Sequence, residues 1–170
     1  MRRLIIAIQF LTRLPTPQLR HFDPAEMASA IRWFPAVGLL IGAIVAGAWW
    51  LGARVDPWLG GLFGLAAWVL VTGALHLDGL GDLADARGAA HGDRERLLAV
   101  LADPHVGSFG VVAIGVQLLA KLVLLHAVVD RGASIVLIAI PFAARIGPLA
   151  WTLWLPPLHA GLASRFRAAV

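Results

Sequence analysis

Residues 33–53 run without a charge, and Arg32 and Arg54 stand at the two ends of the run. A bilayer hydrocarbon core is crossed by ~20 consecutive apolar residues. A soluble helix of that length would need a polar face, and this stretch supplies none. Three further stretches have the same character: 57–77, 106–129 and 133–155. In lipid every backbone N–H and C=O must be satisfied within the protein, so apolar spans of this length are helices. The expected fold is therefore all-α, a polytopic transmembrane bundle of about four spanning helices in a single domain. Composition agrees: 59% of the 170 residues are hydrophobic and 14% charged, and the mean hydropathy is +0.81. An ordinary soluble domain carries ~25% charged residues.

The amino-terminal residues 1–20 begin like a signal peptide, with Arg2 and Arg3 before LIIAIQFL. That apolar core is short, Arg13 and two prolines follow it, and no small-residue cleavage site appears. A retained, short amphipathic helix at the interface is expected over 1–20, with a polar connector from Pro15 to Pro24. Inside the 78–105 loop, DRERLLAVLA at 93–102 reads as a short amphipathic helix capped by Asp93.

The basic residues set the orientation. Outside the spans they number five in the amino-terminal segment, one at 54–56, three in the 78–105 loop, one at 130–132 and two in the tail. Positive-inside reasoning places both termini and the 78–105 loop in the cytoplasm. Thirteen of the 14 basic residues are Arg, distributed between apolar runs rather than in a patch, so they point to membrane orientation and not to nucleic acid. The absence of Cys excludes disulfides and thiolate metal sites.

Directly after the second apolar run comes GALHLDGLGDLADARG, residues 73–88. Asp78, Asp82 and Asp85 stand at i, i+4 and i+7, within a ~60° sector of one helix face. Like charges so placed repel, and acids near a helix carboxy terminus are electrostatically misplaced. They could merely terminate the span. A divalent cation would remove the misfit, and carboxylate oxygens without thiolates suit Mg²⁺ or Mn²⁺. His76 raises zinc, but it points away from the aspartate face. Magnesium is held by one or two carboxylates plus substrate phosphates, so a phosphate-bearing substrate is implied. Gly79, Gly81 and Gly88 would admit a bulky phosphorylated group to the backbone. On this reading, replacing any one aspartate by Asn leaves stability unchanged or slightly raised.

Asp103 opens DPHVGSFG at 103–110. It is a candidate fourth ligand from across the bundle, or else an N-cap before Pro104 at a first helical position. Lys121 and Arg145 lie at membrane depth, where charges usually face a cavity or partner. Lys121 could instead snorkel, and Arg145 could bond a carbonyl freed by the kink at Pro141.

With QFLTRLP at 9–15, FPAVGLLIG at 34–42, HLDGLGDLADA at 76–86 and DPHVGSFG at 103–110, the chain resembles the cobalamin synthases, the adenosylcobinamide-GDP ribazoletransferases. The resemblance implies a multi-pass enzyme of the bacterial inner membrane. It would join adenosylcobinamide-GDP to α-ribazole, or its 5′-phosphate, and release GMP, with Mg²⁺ as cofactor. It places metal ligation on Asp78, Asp82, Asp85 and Asp103. Catalysis falls to Asp78, Asp82, Asp85 and His76, with the proton acceptor left open among Asp82, Asp85 and His76. Substrate contacts fall to Arg13, Lys121, Arg145 and Gly79. Partners are the two substrates and the bilayer, with an oligomer compatible and no nucleic acid. This sequence has Gly81, Leu83 and Ala86 where many relatives have Ala, Thr and Gly. Relatives continue through further helices, so a form shortened at the carboxy terminus is expected.

Two other readings compete. CDP-alcohol phosphotransferases resemble D-G-x-x-A-R, but DLADAR at 82–87 has Leu in the Gly position and lacks the downstream acids. A transporter could line a path with Lys121 and Arg145, but no internal repeat is visible and the acids lie at an edge of the membrane rather than its midplane.

Overall fold

The computed structural model describes residues 1–17, 19, 24–131, 134–156, 164 and 166. Arg20, Arg165 and Arg167, which enter the orientation argument, lie outside the described residues. So do residues 18 and 20–23 of the connector and Ala133 at the expected start of the fourth span. Every regular element described is helical: α1 (Arg2–Leu11), α2 (Pro24–Ala30), a 3-10 turn (Ile31–Trp33), α3 (Phe34–Ala53), α4 (Pro57–Thr72), α5 (Leu75–Ala90), α6 (Arg94–Leu101), α7 (Ser108–Arg131) and α8 (Ser134–Trp154).

Three continuous stretches are long and apolar enough to cross a membrane: Ala25–Ala53, Ser108–Val128 and Ser134–Trp154. Helices α4 and α5 meet the same criterion only together, as a pair bent by 84°, which is the form of a broken span or of a re-entrant loop. The expected second span, 57–77, is therefore not one helix. It stops at Thr72, because Gly73 (φ 59°) and Ala74 (φ 61°) are both left-handed and end the hydrogen-bond ladder. The expected loop 78–105 is likewise mostly helix. Asp93 caps α6 as expected, its carboxylate accepting from Glu95 N–H at 2.9 Å and Arg96 N–H at 3.4 Å. The third span begins at Ser108 rather than Val106.

The bundle is organised around α3, which packs along α4 on one side and α8 on the other, while α7 packs on α4 and α5. Glycine sets these distances. A Cβ at Gly38 or Gly42 would collide with the α8 backbone at Pro141–Phe142 or Ile138, and one at Gly52 with the α4 backbone at Leu59. Small residues at such crossings let backbones approach in a medium that gives helices no hydrophobic drive to associate. The buried Trp49 indole is satisfied across the bundle, donating to the Leu125 carbonyl at 3.0 Å. Outer faces of α7 and α8 stay apolar and exposed, with Val112, Leu119, Leu124, Ile135 and Trp151 pointing outward, as lipid-facing surfaces must.

The amino-terminal helix is shorter than expected and more integrated. It ends at Leu11, where Thr12 is extended, and it buries Ile6 and Ala7. Phe10 stacks on Phe34 at 5.6 Å, which docks α1 on the start of α3.

Candidate functional site

The three aspartates of α5 share a helix, but the fold gives them different work. Asp85 is buried. Its Oδ2 accepts from Gly107 N–H at 2.7 Å and its Oδ1 from Gly110 N–H at 2.9 Å. Those amides belong to the turn that enters α7, so the carboxylate satisfies donors that a helix amino terminus leaves orphaned and meets the positive end of its dipole. The approach is close enough that a Cβ at Gly107 or Gly110 would overlap the Asp85 carboxylate. The glycines of GSFG are thus explained by an acid 22 or 25 residues earlier.

Asp78 is exposed and Asp82 half-buried. Neither makes a hydrogen bond or ion pair among the described residues. The charges of Asp78 and Asp85 both act on Asp82. Two carboxylates with free acceptor oxygens, side by side and uncompensated, are what a partly solvated divalent cation takes.

Asp103 does not cap α7. It accepts from the backbone N–H of His105 at 3.0 Å and pairs with its ring Nδ1 at 2.6 Å. The ring hydrogen bond, with the backbone one behind it, holds the Asp103 carboxyl below the usual carboxylate range. Asp103, His105 and Asp85 line a common open cavity of about 290 Å³. Among the described residues, however, no three His, Asp or Glu side chains form a group able to hold a metal ion alone. Asp85 already spends both oxygens on amides. Asp78 and Asp82 keep their oxygens without a hydrogen bond among the described residues, and Asp103 stands across the α7 entry from them, paired with His105.

His76 points away from the acids, as the 100° step of a helix requires. Its Nε2 lies 2.6 Å from Lys121 Nζ and its Nδ1 3.4 Å from Thr72 Oγ1, while the Thr72 hydroxyl donates to the Trp68 carbonyl at 2.8 Å. An ammonium can only donate, so Nε2 accepts and Nδ1 carries the proton toward Thr72. The nitrogen a general base would need is occupied. Lys121 also sits 4.5 Å from the Trp68 ring centroid, in cation–π range.

Arg145 donates through Nη1 to the Pro141 carbonyl at 3.0 Å. That is not the carbonyl released by Pro141, which belongs to Leu137 one turn earlier. Arg13 is exposed and packs against Gly73, where any Cβ would strike its side chain. Gly79 has open space around its α-carbon. The fold thus separates an acidic face (Asp78, Asp82) from a basic group at the α4–α5 break (Arg13, His76, Lys121). Sequence reasoning had no role for Gly107, Gly110, Trp68 or Thr72. The two glycines three apart at the mouth of a span were the signal available for the first two.

A family model described as cobalamin-5-phosphate synthase matches residues 3–170. The chain belongs to the cobalamin-5-phosphate synthase family. The adenosylcobinamide-GDP ribazoletransferase of Novosphingobium aromaticivorans is 69% identical, covering 100% of this chain and 70% of the relative. The proteins of the same name from Thiobacillus denitrificans and Laribacter hongkongensis are 56% and 63% identical, covering 98% and 95% of this chain and 68% and 66% of their own lengths. The chain therefore spans roughly two thirds of the relatives it matches. No solved structure matches this cobalamin-5-phosphate synthase family member. The assignment leaves the CDP-alcohol phosphotransferase and transporter readings without support.

Proposed function

We propose that this chain is an adenosylcobinamide-GDP ribazoletransferase of a bacterial inner membrane, dependent on Mg²⁺. The observation that carries the reading is the 69% identity across the whole chain to a protein of that name. In the reaction a hydroxyl oxygen of α-ribazole, or of its 5′-phosphate, bonds to the phosphorus attached to cobinamide. The phosphoanhydride bond to GMP breaks, GMP leaves with the electron pair, and the hydroxyl proton passes to a base. Such transfers depend on positioning and on neutralising charge that develops on the leaving oxygen.

Asp78, exposed, and Asp82, half-buried, are the residues to hold the metal, since their oxygens make no hydrogen bond among the described residues and they share one face of α5. Bound there with substrate phosphates, Mg²⁺ would supply positive charge at the pyrophosphate. Asp85 positions rather than reacts, by fixing the α7 entry against the acidic helix. Open space at Gly79, next to Asp78, leaves room for a bulky group against the backbone.

The test uses membranes containing the chain, given adenosylcobinamide-GDP, α-ribazole and Mg²⁺. GMP release above a CDP-lipid control is expected. Membranes that insert the chain correctly and release no GMP would refute the reading.

A further inference from the structure

An open cavity of about 850 Å³ lies between the end of α5, helix α6 and the end of α8. Its α5 wall is Leu83 and Arg87, which stand ~140° and ~180° around the helix from Asp78. The cavity is therefore on the side of α5 turned away from the carboxylates, and chemistry at Asp78 and Asp82 does not use it. Leu97 of α6 and Leu155 at the end of α8 add to the apolar wall, and Arg87 and Arg94 give it positive charge. Arg87 is exposed and makes no hydrogen bond or ion pair among the described residues. Asp93 is the acid on the wall, and its carboxylate is spent on the α6 amides of Glu95 and Arg96.

The spans fix the level of this cavity in the membrane. Helix α8 is long and apolar enough to cross the bilayer and ends at Trp154, next to the cavity wall. Trp151 and Trp154 are exposed there, as tryptophans at headgroup level are. Arginines at that level could simply reach into water, but solvated charges need no apolar track beside them. Leu155, Trp151, Ala144 and Ile140 are all exposed, and their steps of four, seven and four follow one face of a helix. From Trp151 to Ile140 this face runs ~16 Å, close to the ~15 Å depth of one leaflet. Cations at headgroup level thus stand at the head of a track as long as an acyl chain.

We propose that the cavity between α5, α6 and the end of α8 binds an anionic phospholipid, its phosphodiester on Arg87 and Arg94 and an acyl chain along α8. Basic pockets beside membrane helices hold anionic headgroups, and a guanidinium fork matches phosphate oxygens. A soluble phosphate would meet the arginines but leave the leucines and the α8 track uncovered, which favours the lipid. The site rests on nothing in the proposed function, since it takes neither metal nor a nucleotide. A lipid seated there would brace the helix that carries Asp78 and Asp82 against α6 and the end of a span.

The test mixes the full chain, in neutral detergent, with equimolar phosphatidylglycerol and phosphatidylcholine and counts retained lipid by native mass spectrometry. Two arginines should give about a 10–30-fold preference for phosphatidylglycerol, and Arg87→Gln or Arg94→Gln should each cut it about fivefold. Arg54→Gln controls for net charge. Gly38 packs on Pro141 and Gly42 on Ile138, so α3 and α8 run antiparallel and Arg54, just past α3, is at the opposite membrane surface. Its loss should leave the preference unchanged. Glycerol 3-phosphate, which carries the phosphate without chains, should not displace the lipid. Equal retention of the two lipids overturns the proposal, as does a preference that survives both cavity variants or falls equally in Arg54→Gln. Displacement by glycerol 3-phosphate overturns it in favour of a soluble anion. If the variants fail to insert, lipids brominated along the acyl chain decide the matter on the wild-type chain. Brominated phosphatidylglycerol should quench tryptophan emission more than brominated phosphatidylcholine, and equal quenching would sink the site.

Discussion

Replacing Asp85 by Asn separates a structural carboxylate from a catalytic one. The side chain is 8% exposed and each of its oxygens accepts one backbone N–H. Asparagine keeps the shape but offers one acceptor and one NH₂ group, so either Gly107 or Gly110 N–H must face another donor. A buried donor left unsatisfied costs about 1–3 kcal/mol. Loss of the negative charge at the amino terminus of α7 adds about 0.3–1 kcal/mol. A fall of about 1–4 kcal/mol is the expected sum, or about 3–16 °C in melting temperature for a chain of this size. Asp78→Asn and Asp82→Asn remove charges that pair with nothing, so they should melt with the wild type or slightly above it.

The assay is thermal unfolding in detergent with EDTA, followed by near-ultraviolet circular dichroism so that side-chain packing is read and metal does not contribute. Gly110→Ala is the independent check, because its methyl group meets the same carboxylate and the Gly81 carbonyl from the other side. Both variants should be destabilised. If Asp85→Asn melts with the wild type while Gly110→Ala falls, the clamp is wrong and Asp85 returns to the ligand set. The sequence-level expectation of unchanged stability for all three aspartates is thus kept for two and reversed for the third.

Three further outcomes are expected. GMP release should require divalent metal, disappear in EDTA, and fall by ~10²–10⁴ in Asp78→Asn and Asp82→Asn, as measured in single-turnover assays of metal-reloaded protein. A cysteine at exposed Glu95, in this Cys-free chain, should react with impermeant maleimide only from the cytoplasmic side of oriented vesicles; labelling from outside alone would invert the topology. Gly73→Ala should lower the melting temperature, since the residue has φ 59° and its Cβ would strike Arg13, whereas Ala74→Gly, at φ 61°, should be neutral or stabilising by up to about 1 kcal/mol.

The span pattern was legible because hydropathy reports a solvent, and lipid imposes the same demand on every residue of a span. The local caps were legible for a similar reason: Asp93 and its amides are neighbours in sequence. Contacts between distant residues were not. Asp78, Asp82 and Asp85 look equivalent at i, i+4 and i+7, and only the arrival of α7 makes the third one a clamp. The boundary at Thr72 was missed because apolar residues continue through Leu77. A hydropathy window does not register that Gly73 and Ala74 turn left-handed.

That break ties the two halves of the site together. Had 57–77 been one straight helix, His76 would have extended the span and the acids would have followed it out of the membrane. The 84° bend instead folds α5 back along α7. One end of α5 is then held by His76 on Lys121 and the other by Asp85 on Gly107 and Gly110. Asp78 and Asp82 lie between two fixed points on a helix whose neighbours are already paired. If Asp78 and Asp82 meet a cation and a phosphate, as the proposed function has it, they gain from such fixing, because placement contributes much of the rate in phosphoryl transfer. Loosening either end should therefore slow the reaction even though neither tether touches the reacting phosphorus.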